Sequence, residues 1–305
     1  MTDTWPAPGE LARLATRVPP HVYLGTSTWT YPGWKGMIYH QDYPATGASA
    51  EMLAEYARCP LLTTVGIDSF FYRPPSLKTL REYADALPPD FRCVSKVWRE
   101  LTIHTFGRED KGRAGQTNPT FLDAARFTEE VWGPMQTAFA EHTGPFVFEF
   151  QSLPRKATAA FLDHLEGFLD QLPAGGHYAI ELRNPELLTA EYFAMLTRRG
   201  AGHVFNSWTR MPSIGMQLDL PGALAQPFAV ARMLLRPGRQ YAEAVDAFAP
   251  YDRIREPNPE LRRDVVRIID GATKVQIPAY LLFNNRAEGN ALITLAEVVR
   301  RLPPR

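Results

Sequence analysis

The sequence is short of several things, and each shortage excludes a class of protein. Of its 305 residues only two are cysteine, Cys59 and Cys93. Two thiols cannot build a disulfide framework or a four-thiolate zinc site. Both sit beside or within apolar runs, where they read as small buried hydrophobes. Net charge is lacking too, because 33 Lys and Arg balance 33 Asp and Glu. A domain made for non-specific nucleic-acid binding carries a basic excess, so any polyanion site here must be a local patch. No run approaches the roughly 18 apolar residues of a membrane span, and residues 1–10 are polar, without the apolar stretch of a signal peptide. The expected setting is a reducing cytoplasm, with no membrane partner. Hydrophobic residues at 45% and charged residues at 22% exclude a disordered chain.

What the sequence does have is alternation. Eight short apolar segments read as strands: Val22 to Trp29, Thr64 to Ser69, Arg92 to Trp98, Phe146 to Gln151, Tyr178 to Arg183, His203 to Trp208, Phe228 to Leu235 and Ala279 to Asn284. Helical periodicity fills most gaps between them. Ser76 caps a helix running to Leu87. Asn118-Pro119 and Asn258-Pro259 each read as an N-cap with proline in the first turn; they open helices over 120–141 and 260–273. Further helices are expected at 49–58, 157–172, 185–199 and 288–302, with a short or broken one within 213–226. No linker or repeat divides the chain, so residues 22–305 are expected to form one (β/α)8 TIM-type barrel, preceded by an extension over 1–21 with a short helix.

Closure is favoured over an open sheet by two features. No GxGxxG or P-loop signature follows any strand. The strand-to-helix links 30–47, 99–117 and 236–257 are long while helix-to-strand links are short, as in a barrel whose site is built beyond the C-terminal strand ends.

Period-two alternation sorts each strand into two faces. Glu181 and Arg183 alternate with Ile180 and Leu182; Glu149 and Gln151 with three phenylalanines. Charges cannot be covered cheaply by packed helices, so they are expected to face the barrel mouth. Asp68, Lys96, Asn206 and Arg232, together with Asn284 and Asn285, come from the same strand ends. Polar groups from six of eight strands at one end exceed what filling a barrel needs, since Val, Ile and Leu would serve. Trp29, Tyr31, Trp34, Tyr72, Trp98 and Trp208 gather nearby and suit stacking on a planar or sugar ligand.

These residues resemble a known family. The run Gly25-Thr26-Ser27-Thr28-Trp29-Thr30-Tyr31-Pro32-Gly33-Trp34 is similar to the G-T-S-x-W-x-Y-x-G-W opening of the bacterial YecE-like proteins, the domain of unknown function 72. Phe70-Phe71-Tyr72-Arg73-Pro74, Ser95-Lys96 with Leu101-Thr102-Ile103-His104, Glu181-Leu182-Arg183, and Asn284-Asn285 with Gly289-Asn290-Ala291 resemble its later motifs in order. The resemblance implies a TIM-type barrel and carries no established reaction. Departures occur at Asp68, at Glu149 where an amide is usual, and at Asn184 where the family has histidine.

The chemistry expected is an enzyme, of hydrolase or lyase type, acting on a phosphorylated or otherwise anionic small molecule such as a sugar or nucleotide. Asp68, Glu149, Glu181, Lys96 and His104 are the candidate catalytic groups, with His104 as a loop-borne proton carrier. Arg73, Arg183 and Arg232 are candidates for pairing with the anion, and Arg236 to Arg239 occupy a place where barrels often bind phosphate. Only His104 of seven histidines reaches the functional face, which argues against a zinc cluster; one Mg²⁺ or Mn²⁺ on Asp68, Glu149 and Glu181 is the metal alternative. A glycosidase pair at Glu149 and Glu181 fits by spacing, but neighbouring cations would keep both ionised. A nucleic-acid or nucleotide-end binding module and a non-catalytic ligand-binding scaffold are the competing readings. Residues 106–117 are a candidate lid.

Overall fold

A computed structural model describes residues 3–44 and 46–305. Eight parallel strands form one sheet, β1 (Val22–Thr26), β2 (Thr64–Ile67), β3 (Arg92–Lys96), β4 (Thr143–Glu149), β5 (Tyr178–Glu181), β6 (Gly202–Asn206), β7 (Ala229–Met233) and β8 (Ala279–Phe283), ordered β1-β8-β7-β6-β5-β4-β3-β2. Parallel neighbours require crossovers, supplied by helices α2 (Ser49–Tyr56), α3 (Leu77–Ala86), α4 (Ala124–Phe127), α5 (Gly133–Ala138), α6 (Arg155–Gln171), α7 (Ala190–Arg199), α8 (Ile214–Leu218), α9 (Tyr241–Phe248) and α10 (Pro259–Val275); α1 (Pro8–Ala15) precedes the sheet, and α11 (Asn285–Glu288) and α12 (Ala291–Val299) follow β8. The sheet nearly closes into a barrel, as a (β/α)8 fold does. No helix among the described residues is long and apolar enough to cross a membrane.

The one seam without a ladder lies between β1 and β2. Glycines let the strands approach: a Cβ on Gly25 would collide with the Thr64 carbonyl, and one on Gly66 would lie 2.7 Å from the Ser27 carbonyl. The Tyr56 hydroxyl of α2, wholly buried, bridges the gap. It accepts from the Thr26 N–H at 2.9 Å and donates to the Thr64 carbonyl at 3.2 Å. Tyr56→Phe leaves a buried backbone donor and acceptor unmatched, and is expected to cost about 1–3 kcal/mol in a urea titration. A variant as stable as the parent would show the seam holds without the bridge.

Two apolar layers flank the sheet. The larger lies between strands and helices; the smaller fills the barrel with Val94, Val147, Ala179, Val204, Val230, Tyr280, Leu282 and Phe228. The residue two positions on from each of the first five is Lys96, Glu149, Glu181, Asn206 or Arg232. Period two therefore sets a polar layer directly over the apolar plug.

Several expected elements differ. The helix expected over 120–141 begins at Ala124 with Asp123 as its cap, and passes through a wide turn at Thr128–Trp132 before Pro134, whose ring lacks an N–H. Asn118 instead binds the carbonyls of Glu100 and Ile103. The terminal helix is split: Gly289, at φ +115°, separates α11 from α12, which Asn290 caps. The link after β7 holds an unexpected helix, α9, opened by a reciprocal Gln240–Glu243 capping box. The N-terminal extension, of which Met1 and Thr2 lie outside the described residues, is tied down by Asp3 to Arg262 at 3.0 Å and Glu10 to Arg300 at 2.8 Å.

Candidate functional site

The C-terminal ends of six strands converge on one cluster of charge. Glu149 and Glu181 are side-by-side partners on β4 and β5, and Asn206 and Arg232 on β6 and β7. Arg232 is the hub. Its guanidinium holds both Asp68 oxygens at 2.9 Å, Glu149 Oε2 at 2.8 Å and Glu181 Oε2 at 2.6 Å. Arg183 reaches Glu149 Oε2 at 3.0 Å and Glu181 Oε1 at 2.5 Å. Lys96 reaches Glu149 Oε2 at 2.9 Å. Three carboxylates thus meet three cations, and the cluster is neutral.

Packing fixes the cations. The Lys96 ammonium lies 3.6 Å from the Phe71 ring centre, and the Arg183 guanidinium 4.2 Å from that of Trp208. Asn206, fully buried, accepts from Arg183 at 3.2 Å and donates to the Leu182 carbonyl. Burial pushes the Glu149 carboxyl upward, but Lys96, Arg183 and Arg232 together hold it well below the usual carboxylate range. Burial likewise works against the charge of Arg232, yet Asp68, Glu181 and Glu149 raise it well above an ordinary arginine.

Above the cluster opens a cavity of about 400 Å³, the size of a small-molecule site. Asp68, Lys96, Glu149, Arg183 and Arg232 form its floor, and Gln151, Ser152, Leu234 and Trp208 part of its wall. Tyr72, Tyr241 and Arg286 also line it. Tyr72 and Tyr241 are exposed, and Arg286 is half-buried with its guanidinium 4.5 Å from the Tyr241 ring centre. Glu181 is sealed beneath, with none of its surface exposed.

The structure therefore unites Asp68, Lys96, Glu149, Glu181, Arg183, Asn206, Arg232 and Tyr72. It does not bring the other candidates to the cavity. His104 lies against the Thr105 hydroxyl and the edge of Phe121. Arg73 is exposed in a separate groove beside Ser76 and Thr79. Trp29 and Trp34 are core residues: Trp29 donates to the Ser49 carbonyl at 2.7 Å and packs edge-on against Tyr83, because the chain turns outward after β1. Tyr31 packs against Trp34 and Tyr251. Trp98 stacks under Arg126. Asn284 caps α11, and Asn285 accepts from the Ala291 N–H.

Two loop expectations are corrected as well. Residues 106–117 are pinned without any ligand: Arg99 grips Asp110 at 2.5 and 2.8 Å, and Arg113 grips Glu100 at 2.7 and 2.9 Å. None of them lines the cavity. Arg239 is occupied by Glu256 at 2.7 and 2.9 Å, and Arg236 bonds the Pro257 carbonyl, so the link after β7 contributes Tyr241 instead of a phosphate-binding turn. Among the described residues no group of three or more His, Cys, Asp or Glu side chains is arranged to hold a metal ion. Asp68, Glu149 and Glu181, the carboxylates of the metal alternative, are paired with guanidinium and ammonium groups.

Arg286 and Tyr241 were missed. Arg286 follows an Asn-Asn pair and precedes Gly289, a short-helix signature hidden by the longer apolar run after it.

The sequence matches the family described as proteins of unknown function, DUF72, over residues 23–305. The chain belongs to that family. A DUF72 family protein from Thermotoga maritima MSB8 is similar in structure, with TM-score 0.61, 19% identity, and 92% of this chain and 98% of that one covered. A DUF72 family protein from Enterococcus faecalis V583 gives TM-score 0.60 at 18% identity, covering 93% and 98%. At such identities the likeness shows the DUF72 fold alone. No curated protein matches the chain.

Proposed function

We propose that this DUF72 protein is an enzyme that binds a small anionic molecule in the barrel mouth and acts on it. One observation carries the reading. The floor of the cavity is charge-balanced, three against three, and Arg286 is the single lining cation without a carboxylate partner among the described residues. Its charge is therefore uncancelled at the mouth, where a ligand's anionic group would arrive. A layer of Val and Ala directly below shows how this barrel is filled where only filling is needed. A buried ionic layer costs desolvation and is poor evidence for stability, so its presence at the loop-bearing end supports a functional role.

Asp68 is the carboxylate we assign to proton transfer, with Lys96 as its counterpart. The Asp68 side chain is 29% exposed, against 13% for Glu149 and none for Glu181. Glu149, held ionised by three cations, is a weak base and no acid; it organises the cations. A cavity of this size and a neutral chain favour a small molecule over a nucleic-acid strand.

The test is calorimetric titration with inorganic phosphate, sugar phosphates and nucleoside monophosphates. Arg286→Ala is expected to weaken the binding of whichever anions bind by about 10- to 100-fold, the worth of a charge-assisted hydrogen bond. Anion affinity unchanged in Arg286→Ala, or no anion bound by the parent, overturns the reading.

A further inference from the structure

We infer that the ligand is a phosphorylated polyol or sugar, held with its hydroxyl groups down on Asp68 and Glu149 and its phosphate up at Arg286. The inference rests on the anionic-ligand reading above and adds an orientation and a chemical class to it.

The floor and the mouth ask for different things. All three cations that contact Glu149 do so through Oε2, which leaves Oε1 without any of these contacts on a residue that lines the cavity. Asp68 receives Arg232 on both oxygens, yet its side chain keeps 29% of its surface. Two carboxylates on the cavity's lining thus offer acceptor oxygens to a ligand. A carboxylate accepts and never donates while ionised. It therefore selects ligand O–H groups and repels a phosphate, whose oxygens at neutral pH are acceptors as well.

Donors stand between the acceptors. Lys96 Nζ, 2.9 Å from Glu149 Oε2, is a three-hydrogen donor on a residue that lines the same cavity. Gln151 and Ser152 line the same wall. Alternating carboxylate acceptors and ammonium or amide donors match vicinal hydroxyls, each of which both gives and takes a hydrogen bond. An anion entering phosphate-first would set its charge against Asp68 and Glu149. Entering hydroxyl-first, it places the charge at the mouth beside Arg286. Asp68 and Glu149 of the floor and Tyr72, Tyr241 and Arg286 of the mouth line one cavity, so a single small ligand can meet both. A nucleotide base, flat and lacking vicinal hydroxyls, is a poorer match to that floor.

The experiment uses the full chain and needs no variant for its first arm. Affinities are measured for methyl phosphate, for a set of pentose and hexose monophosphates, for the same sugars without phosphate, and for 2-deoxy analogues of the sugar phosphates. At least one sugar phosphate is expected to bind about 10- to 100-fold more tightly than methyl phosphate, the range of one charge-assisted hydrogen bond. Losing a hydroxyl or the phosphate should each forfeit a similar factor. Asp68→Asn should weaken the sugar phosphate and leave methyl phosphate bound no less tightly; Arg286→Ala should weaken both. Methyl phosphate binding as tightly as every sugar phosphate overturns the hydroxyl assignment and spares the anion reading. Free sugars binding as tightly as their phosphates sinks the anion reading and this inference together.

Discussion

Replacing Arg232 with alanine is expected to lower the free energy of unfolding by about 3–5 kcal/mol, the cost of breaking a buried ion pair from one side. The size follows from what would be left behind. Arg232 is the one cation in contact with Asp68, Glu149 and Glu181 together, at 2.6 to 2.9 Å. Without it Asp68 loses the cation that engages both its oxygens, and Glu181, sealed from water, keeps only Arg183. Arg286→Ala provides the contrast. That residue has no carboxylate partner among the described residues and loses only its contact with the exposed Tyr241 ring, so its removal should cost no more than about 1 kcal/mol. Urea titrations of the two variants decide the matter. Equal costs would mean that the three carboxylates do not depend on Arg232 and that the floor is not a coupled unit.

The same contrast explains which parts of the site could be read from the sequence. Glu149, Glu181, Arg183, Lys96 and Arg232 lie on strands, where alternation fixes the direction of every side chain relative to its neighbours. Knowing that Ile180 and Leu182 face the helices is enough to aim Glu181 and Arg183 inward. All eight strands were legible for that reason, although each pattern ran past the last ladder residue, as at Val22 to Trp29 against Val22–Thr26. Beyond the strand ends no such rule operates. Trp29 and Trp34 carry the same apparent message as Tyr72, but a loop can turn either way, and theirs turns onto α3 and Tyr39. Tyr241 and Arg286 stand on short helices whose signals are caps, not periodicity. The Gln240–Glu243 box and the Asn284 cap with Gly289 were present but local, and a two-turn or one-turn helix adds too few apolar positions to announce itself. His104 failed differently: its loop is fastened by Arg99 and Arg113 to acids within the same segment, which no spacing rule anticipates.

Stability should also fall as the pH drops below about 6.5, well before the carboxylates titrate. His203 is wholly buried on β6, with Nδ1 3.0 Å from the Tyr192 hydroxyl and Nε2 3.4 Å from Gln217 Oε1. Burial pushes its pKa down to about 3, against a smaller opposing effect of the Gln217 hydrogen bond. The unfolded chain takes up a proton near pH 6.5 that the native protein refuses until about pH 3. Between those values the unfolded state binds about one more proton, so stability rises with pH by about 1.4 kcal/mol per unit and is flat above 6.5 from this source. Over the whole window the contribution is on the order of 5 kcal/mol. His177, also lowered by burial and by Arg92, acts with the same sign. Glu149 adds its share only at lower pH, because its unfolded value lies near 4.5 and its folded value below that. His203→Gln keeps a hydrogen-bonding side chain and removes the titration. Urea midpoints at pH 7.5, 6.5, 5.5 and 4.5 should therefore show the parent losing about 2–3 kcal/mol more than His203→Gln across the range. Parallel profiles for the two proteins would mean that His203 is protonated in the native state, and the buried Tyr192–His203–Gln217 arrangement would need a charged imidazole at its centre.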